Sequence, residues 1–160
     1  MKKTVKNAGR LNSELTEYLN VDLDIYSRVS LKGLVDAMGE EAIVLYVGGE
    51  RQKYEAHVEL VGSHTDMSAE RTIIGLTRLV KGLPPHYRKV WDSAKSREFN
   101  VGIQSGLEPH GFRLSLDRRT VEALREVRGA LVFTVYAPAL ATTERSPSRK
   151  RAVKKSVPRR

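Results

Sequence analysis

Positive charge is gathered at the two ends of this chain, and that confines any fold to the residues between them. Residues 139–160 hold eight Lys/Arg against one acid, Glu144, with no aromatic residue and few aliphatic ones. Such a segment cannot bury enough apolar surface to offset the entropy lost on ordering it. It is expected to be a disordered cationic tail. Residues 1–10 carry four Lys/Arg and no acid and read as a basic, flexible N-terminus. The net charge of +9 therefore belongs to the ends. Residues 11–138 hold 16 basic and 18 acidic side chains, a balance of −2, and are expected to form a single domain.

A domain of that size buries roughly two thirds of its unfolded surface and needs no disulfide or metal to fold. The chain has no cysteine, which excludes disulfides, thiol catalysis and thiolate metal sites and fits a reducing compartment. The basic start is followed by Ala8-Gly9-Arg10-Leu11-Asn12-Ser13-Glu14 where a signal peptide needs an apolar core. The longest apolar run, Ala42–Val47, is far short of the roughly 20 residues that cross a bilayer. No membrane insertion and a cytoplasmic location are expected; the basic tail is also compatible with nucleoid or nuclear association.

Periodicity sets the order of elements. Val21, Leu23 and Ile25 alternate with Asp22, Asp24 and Tyr26, as in a half-buried strand. Ser30 opens a helical pattern of Leu31, Leu34, Val35 and Met38 that Gly39 closes. Ala42–Val47 is apolar on both faces and reads as a central strand. Gly48-Gly49 begins a hairpin turn into the alternating strand Tyr54–Leu60. Ser68 caps a helix carrying Ile73, Ile74, Leu76, Leu79 and Val80, and Pro84-Pro85 starts a shorter one carrying Tyr87, Val90, Trp91 and Ala94. Strands are expected at Phe99–Ile103 and Phe112–Leu116, then a helix capped by Thr120 and closed by Gly129, then a strand over Leu131–Tyr136. The sum is an α+β fold: a two-layer sandwich with βαβ units, a mixed or antiparallel sheet, and helices mainly on one face. The stretches 23–47 and 112–136 share a hydroxyl cap, a glycine and a Tyr-bearing strand, which reads as a repeated βαβ unit with a right-handed crossover.

Motifs of nucleotide binding, metalloproteolysis and serine hydrolysis do not occur in the sequence, and no cofactor is expected. Glu55, His57 and Glu59 fall on one face of a strand. They read as an acid–base or metal candidate, or as the solvent face of that strand. Asp22 and Asp24 form a second acidic pair with the same two readings. Tyr87, Trp91 and Lys95 recur at helical spacing, as an interface, a nucleic-acid stacking surface, or part of the core. Arg113, Arg118 and Arg119 make a small basic spot suited to an acidic partner. In the tail, Arg149, Lys150, Arg151, Lys154, Lys155, Arg159 and Arg160 have the Ser/Pro/basic texture of segments that track phosphate backbones without reading sequence. A solubilising tail and a membrane or transport address are the other readings.

The run Phe99-Asn100-Val101-Gly102-Ile103-Gln104-Ser105-Gly106, then Phe112–Leu116, Thr120–Leu124, Gly129 and Val132-Phe133-Thr134-Val135-Tyr136, resembles a group of uncharacterised bacterial α+β domains. Some of these sit near polymorphic-toxin loci and are regarded as immunity proteins. The resemblance is close over about 40 residues and rests on structural motifs, so it transfers no functional residue. It implies a non-enzymatic domain that binds a protein partner, and it leaves the cationic tail unexplained. A nucleic-acid-associated protein and an enzyme built on Glu55, His57 and Glu59 are the competing expectations.

Overall fold

The computed structural model describes residues 15–63 and 67–138. The strands are β1 (Glu17–Ser27), β2 (Ala42–Glu50), β3 (Lys53–Leu60), β4 (Ser96–Gln104) and β5 (Ala130–Tyr136), and they form one sheet in the order β2-β3-β1-β4-β5. The helices are α1 (Lys32–Asp36), α2 (Ala69–Lys81), α3 (Pro85–Ser93) and α4 (Arg118–Glu126). β1 lies antiparallel between β3 and β4, β2 is antiparallel to β3, and β5 is parallel to β4. The sheet is therefore mixed, and β4-α4-β5 is a βαβ unit. β1 and β2 also run in one direction, with β3 between them and α1 bridging the gap.

Alternation along the central strands puts one apolar set on the helical side. Val21, Leu23 and Ile25 of β1, Ala56, Val58 and Leu60 of β3, and Phe99 and Val101 of β4 are buried in a single cluster. Leu31, Leu34, Val35 and Met38 around α1, Ile73, Leu76 and Val80 of α2, Trp91 of α3 and Leu124 of α4 fill its other half. Each fully buried large side chain of this kind contributes about 1.5–3 kcal/mol through the water it sheds. A bulge between Tyr18 and Asn20 shifts the alternation by one residue, so Tyr18 packs against the core although Asn20, Asp22, Asp24 and Tyr26 do not.

The helix punctuation holds for α2 and α3. Ser68 accepts from the Arg71 amide at 3.3 Å, and Pro85 opens α3 at a position where its missing N–H has no role. Elsewhere the sequence expectations need correction. α4 is capped by Asp117, which accepts from the Thr120 amide at 2.7 Å, while Thr120 is buried in the first turn. α1 has Leu31 at its cap position, and Ser30 only accepts a long 3.5 Å bond from the Lys32 amide. The β2–β3 turn lies two residues beyond Gly48-Gly49, at Arg51 and Gln52, both with positive φ (50° and 65°). Two left-handed residues are what a tight hairpin turn demands.

Two strand expectations also change. Residues 112–116 form no strand: β4 already has β1 on one side and β5 on the other, so no inner edge remains to pair with. Leu114 and Leu116 still turn inward against the core as irregular chain, which satisfies the same alternation. The second half of the apparent repeat therefore begins at β4. Ala42–Val47 is an edge strand rather than a central one, with Ile43, Val44, Leu45 and Tyr46 exposed. No described helix is long and apolar enough to cross a membrane.

Candidate functional site

The helices occupy one side of the sheet, and the register determines what the other side displays. Cross-strand partners there are Tyr46, His57, Asp24, Glu98 and Ala130 in one row, from β2 to β5. Beside it lies a row with Ile43, Glu59, Asp22, Asn100 and Val132, and on its other flank Glu55, Tyr26 and Ser96. Acidic side chains from three strands, Asp22, Asp24, Glu55, Glu59 and Glu98, thus share one surface. Tyr46 and Ile43 bound it at one edge, and Val132 and Tyr136 at the other.

A line of hydrogen bonds crosses this surface. Thr134 Oγ1 donates to Asn100 Oδ1 at 2.7 Å, and Asn100 Nδ2 donates to Asp24 Oδ2 at 3.2 Å. Asp24 Oδ1 lies 2.7 Å from His57 Nδ1. β5, β4, β1 and β3 each supply one member. A carboxylate only accepts, so the bond places a proton on Nδ1 of His57 and leaves Nε2 for a further partner. The Asp24 side chain is 10% exposed and that of His57 30%. The Tyr26 ring meets the imidazole edge-on at 6.2 Å, and the Tyr46 ring lies 5.9 Å away, tilted by 41°.

A second polar knot holds two carboxylates together. Asn20 Nδ2 donates to Asp22 Oδ1 and to Glu59 Oε1, both at 2.8 Å. Asp24 and Glu98 are direct cross-strand partners, a position where like charges are destabilising. The acidic character also reaches Tyr26. Its phenol titrates above the ordinary value, first through burial and then through the nearby Asp24, Glu98 and Glu55 carboxylates. At the end of this face a cavity of about 460 Å³ is lined by Tyr26, Ser27, Lys53, Tyr54, Glu55 and Lys95.

Glu55, His57 and Glu59 do share this face, but cross-strand bonds separate their roles. His57 is tied to Asp24, and Glu59 shares the Asn20 amide with Asp22. Among the described residues no group of three His, Asp or Glu is arranged to hold a metal ion. Of the interface candidates, Trp91 must be withdrawn: it is fully buried, and its indole N–H donates to the Val127 carbonyl at 2.9 Å. Tyr87 is partly buried against the core, and Lys95 lies beyond the end of α3, so the helical stripe does not exist. Arg113, Arg118 and Arg119 are exposed, with Arg118 paired to Glu122 at 2.8 Å. Arg119 borders a cavity of about 380 Å³ between α2 and α4. The tail candidates Arg149, Lys150, Arg151, Lys154, Lys155, Arg159 and Arg160 lie outside the described residues.

The sequence pairs Asp22 with Asp24 and Glu55 with His57 and Glu59 as separate strand faces. It gives no signal that β1 and β3 are neighbours in a register that puts Asp24 opposite His57. Asn20, Asn100 and Thr134 carry no motif and are found only through that register. Compared with protein-family models, curated proteins and solved structures, the chain finds no match.

Proposed function

We propose that the folded part is a non-enzymatic protein-binding module, of the immunity type implied by the resemblance, whose sheet face away from the described helices receives a cationic protein partner. The observation that carries this reading is the placing of Asp22, Asp24, Glu55, Glu59 and Glu98 on the face where no described helix packs. Asp24 and Glu98 stand directly opposite each other on adjacent strands, where like charges weaken a sheet; a partner's Lys or Arg side chains would offset that repulsion. Tyr26 and Tyr46 add flat aromatic surface of the kind that anchors interfaces and takes up cations. The cationic tail is a separate arm that engages polyanions such as nucleic acid, mainly through phosphate contacts.

The test is calorimetric titration of the full chain with the purified product of the adjacent gene. An Asp22→Asn/Glu55→Gln double variant should fold normally and bind at least tenfold more weakly, about 1.4 kcal/mol. Unchanged affinity in that variant overturns the assignment of this face. A second reading, acid–base catalysis, is favoured by one observation, the 2.7 Å Asp24–His57 contact, which orients an imidazole as hydrolases do. It uses His57 with Asp24 rather than with Glu55 and Glu59. His57→Ala should abolish any hydrolytic activity detected in the purified protein; activity that persists in that variant removes the catalytic reading.

A further inference from the structure

We infer that the acidic face, which no described helix covers, is also the docking site of the chain's own cationic tail, so that the tail shields the face until a polyanion draws it away. This rests on the reading of that face as a cation-binding surface and adds its regulation.

Two features beyond the carboxylates point to this occupant. The first is where the described chain ends. β5 finishes at Tyr136, paired to Gln104, on the edge of the sheet. Tyr136 follows Thr134 by two residues and so shares the uncovered side, where Thr134 bonds Asn100. Twenty-two further residues follow Pro138, with their cations concentrated from Arg149 onward. From the Tyr136–Gln104 row to the Glu98–Asp24 row is six residues of β4, about 20 Å at roughly 3.3 Å each. Eleven residues separate Pro138 from Arg149, and a random-coil chain of that length would have a root-mean-square span of about 18 Å. The basic cluster therefore begins at about the distance where the acidic row lies.

The second is charge. The tail carries a balance of +7 and residues 11–138 a balance of −2, while the uncovered face concentrates acids from three strands. Tethering makes even a weak contact count, because a short flexible linker holds its end near a site at an effective concentration in the millimolar range. The intrinsic affinity need only be of that order for the face to be occupied much of the time. Nucleic acid would compete for the same cations, since their release of counterions from a phosphate backbone is the stronger attraction at low salt. Binding of polyanion by the tail and of a cationic partner by the face would then reinforce each other, and the coupling must run in both directions.

The absence of cysteine makes the test clean. Ser156→Cys, in the full chain, takes a nitroxide spin label, and amide intensities are compared with the reduced label; Ser146→Cys, nearer the tether, serves as a second placement. At low salt the label at 156 should suppress the amides of Asp24, Glu55 and His57, and spare those of α2 on the opposite side. Intensities should recover at about 1 M salt, where the Debye length falls to about 3 Å, and on adding a DNA duplex. Mixing labelled protein with unlabelled, isotope-enriched protein should give no such suppression if the contact is within one chain. A tail label that leaves the face untouched at low salt, or that suppresses both sides of the sheet equally, overturns the inference. A decalysine peptide, titrated in parallel into a chain in which every tail cation is replaced (Arg145→Gln, Arg149→Gln, Lys150→Gln, Arg151→Gln, Lys154→Gln, Lys155→Gln, Arg159→Gln, Arg160→Gln), separates the two readings. Peptide shifts on Asp24, Glu55 and His57 without tail contact would refute the docking and keep the cation-binding face. No shift from the peptide would refute both.

Discussion

The two sides of β1 differ as much as any two parts of this molecule. Val21, Leu23 and Ile25 lie fully buried under the helices, while the alternating Asp22, Asp24 and Tyr26 form hydrogen bonds and ring or charge contacts on a side that no described helix covers. The same backbone thus supports two kinds of surface. One is held by shape and the exclusion of water, the other by a few directional bonds among groups that would rather be solvated. Stability should be concentrated on the first side and binding on the second.

The most severe test of that division is a substitution under the helices. Leu23→Ala removes a fully buried side chain opposite Val58 and Phe99, and should cost about 2–5 kcal/mol, transfer and cavity terms together. Urea unfolding gives the number directly. A loss no larger than that of a neighbouring uncovered-side variant would erase the distinction.

Asp24→Ala should come next. It lies on the uncovered side, yet its carboxylate accepts from both His57 and Asn100 and is almost fully buried. Removing it leaves two polar groups without their acceptor, which should cost about 1–3 kcal/mol. Asn100→Ala, which leaves His57 paired, should cost less. If Asp24→Ala is neutral, the line from Thr134 to His57 contributes no order to the sheet, and the uncovered face is held by the backbone ladder alone.

How far the sequence reaches follows the same division. The covered side is legible because period-two and helical spacing report burial directly: Leu23, Val58, Phe99 and Ile73 are all core. Punctuation is legible at Ser68, whose side chain forms the cap bond, and not at α4, where the sequence points to Thr120 and the cap is Asp117, three residues earlier. The strand Ala42–Val47 was misplaced because apolarity on both faces signals a central strand only if both neighbours exist; here the bulge at Leu45 and an unpaired edge leave it exposed. The candidate site was half legible. Its residue types were visible within each strand, but the Asp24–His57 and Asn20–Glu59 contacts depend on which strands are neighbours, and no local pattern encodes that.

The smallest effect compares two tyrosines of β1. Both Tyr18 and Tyr26 have phenols raised above the ordinary value of 10.0, and burial is the leading cause in each. For Tyr26 the next causes are the Asp24, Glu98 and Glu55 carboxylates of the acidic face, whereas for Tyr18, turned to the core side by the bulge, a hydrogen bond with Thr72 pulls the other way and Asp22 alone of those carboxylates adds to the rise. A phenol whose folded pKa is raised stabilises the native state fully below its unfolded value, and that contribution is lost as pH climbs through the folded one. Stability should therefore decline above pH 10 rather than below it. Glu55→Gln removes one negative neighbour from Tyr26 alone, so the Tyr26 phenol should titrate nearer its ordinary value, still raised by burial, while Tyr18 stays where it was. Carbon-13 resonances of labelled tyrosine rings resolve the two. Equal movement of both would mean that the substitution acts through the fold as a whole rather than on the space around Tyr26, and a Tyr26 that does not respond would mean that Glu55 is too well solvated to contribute.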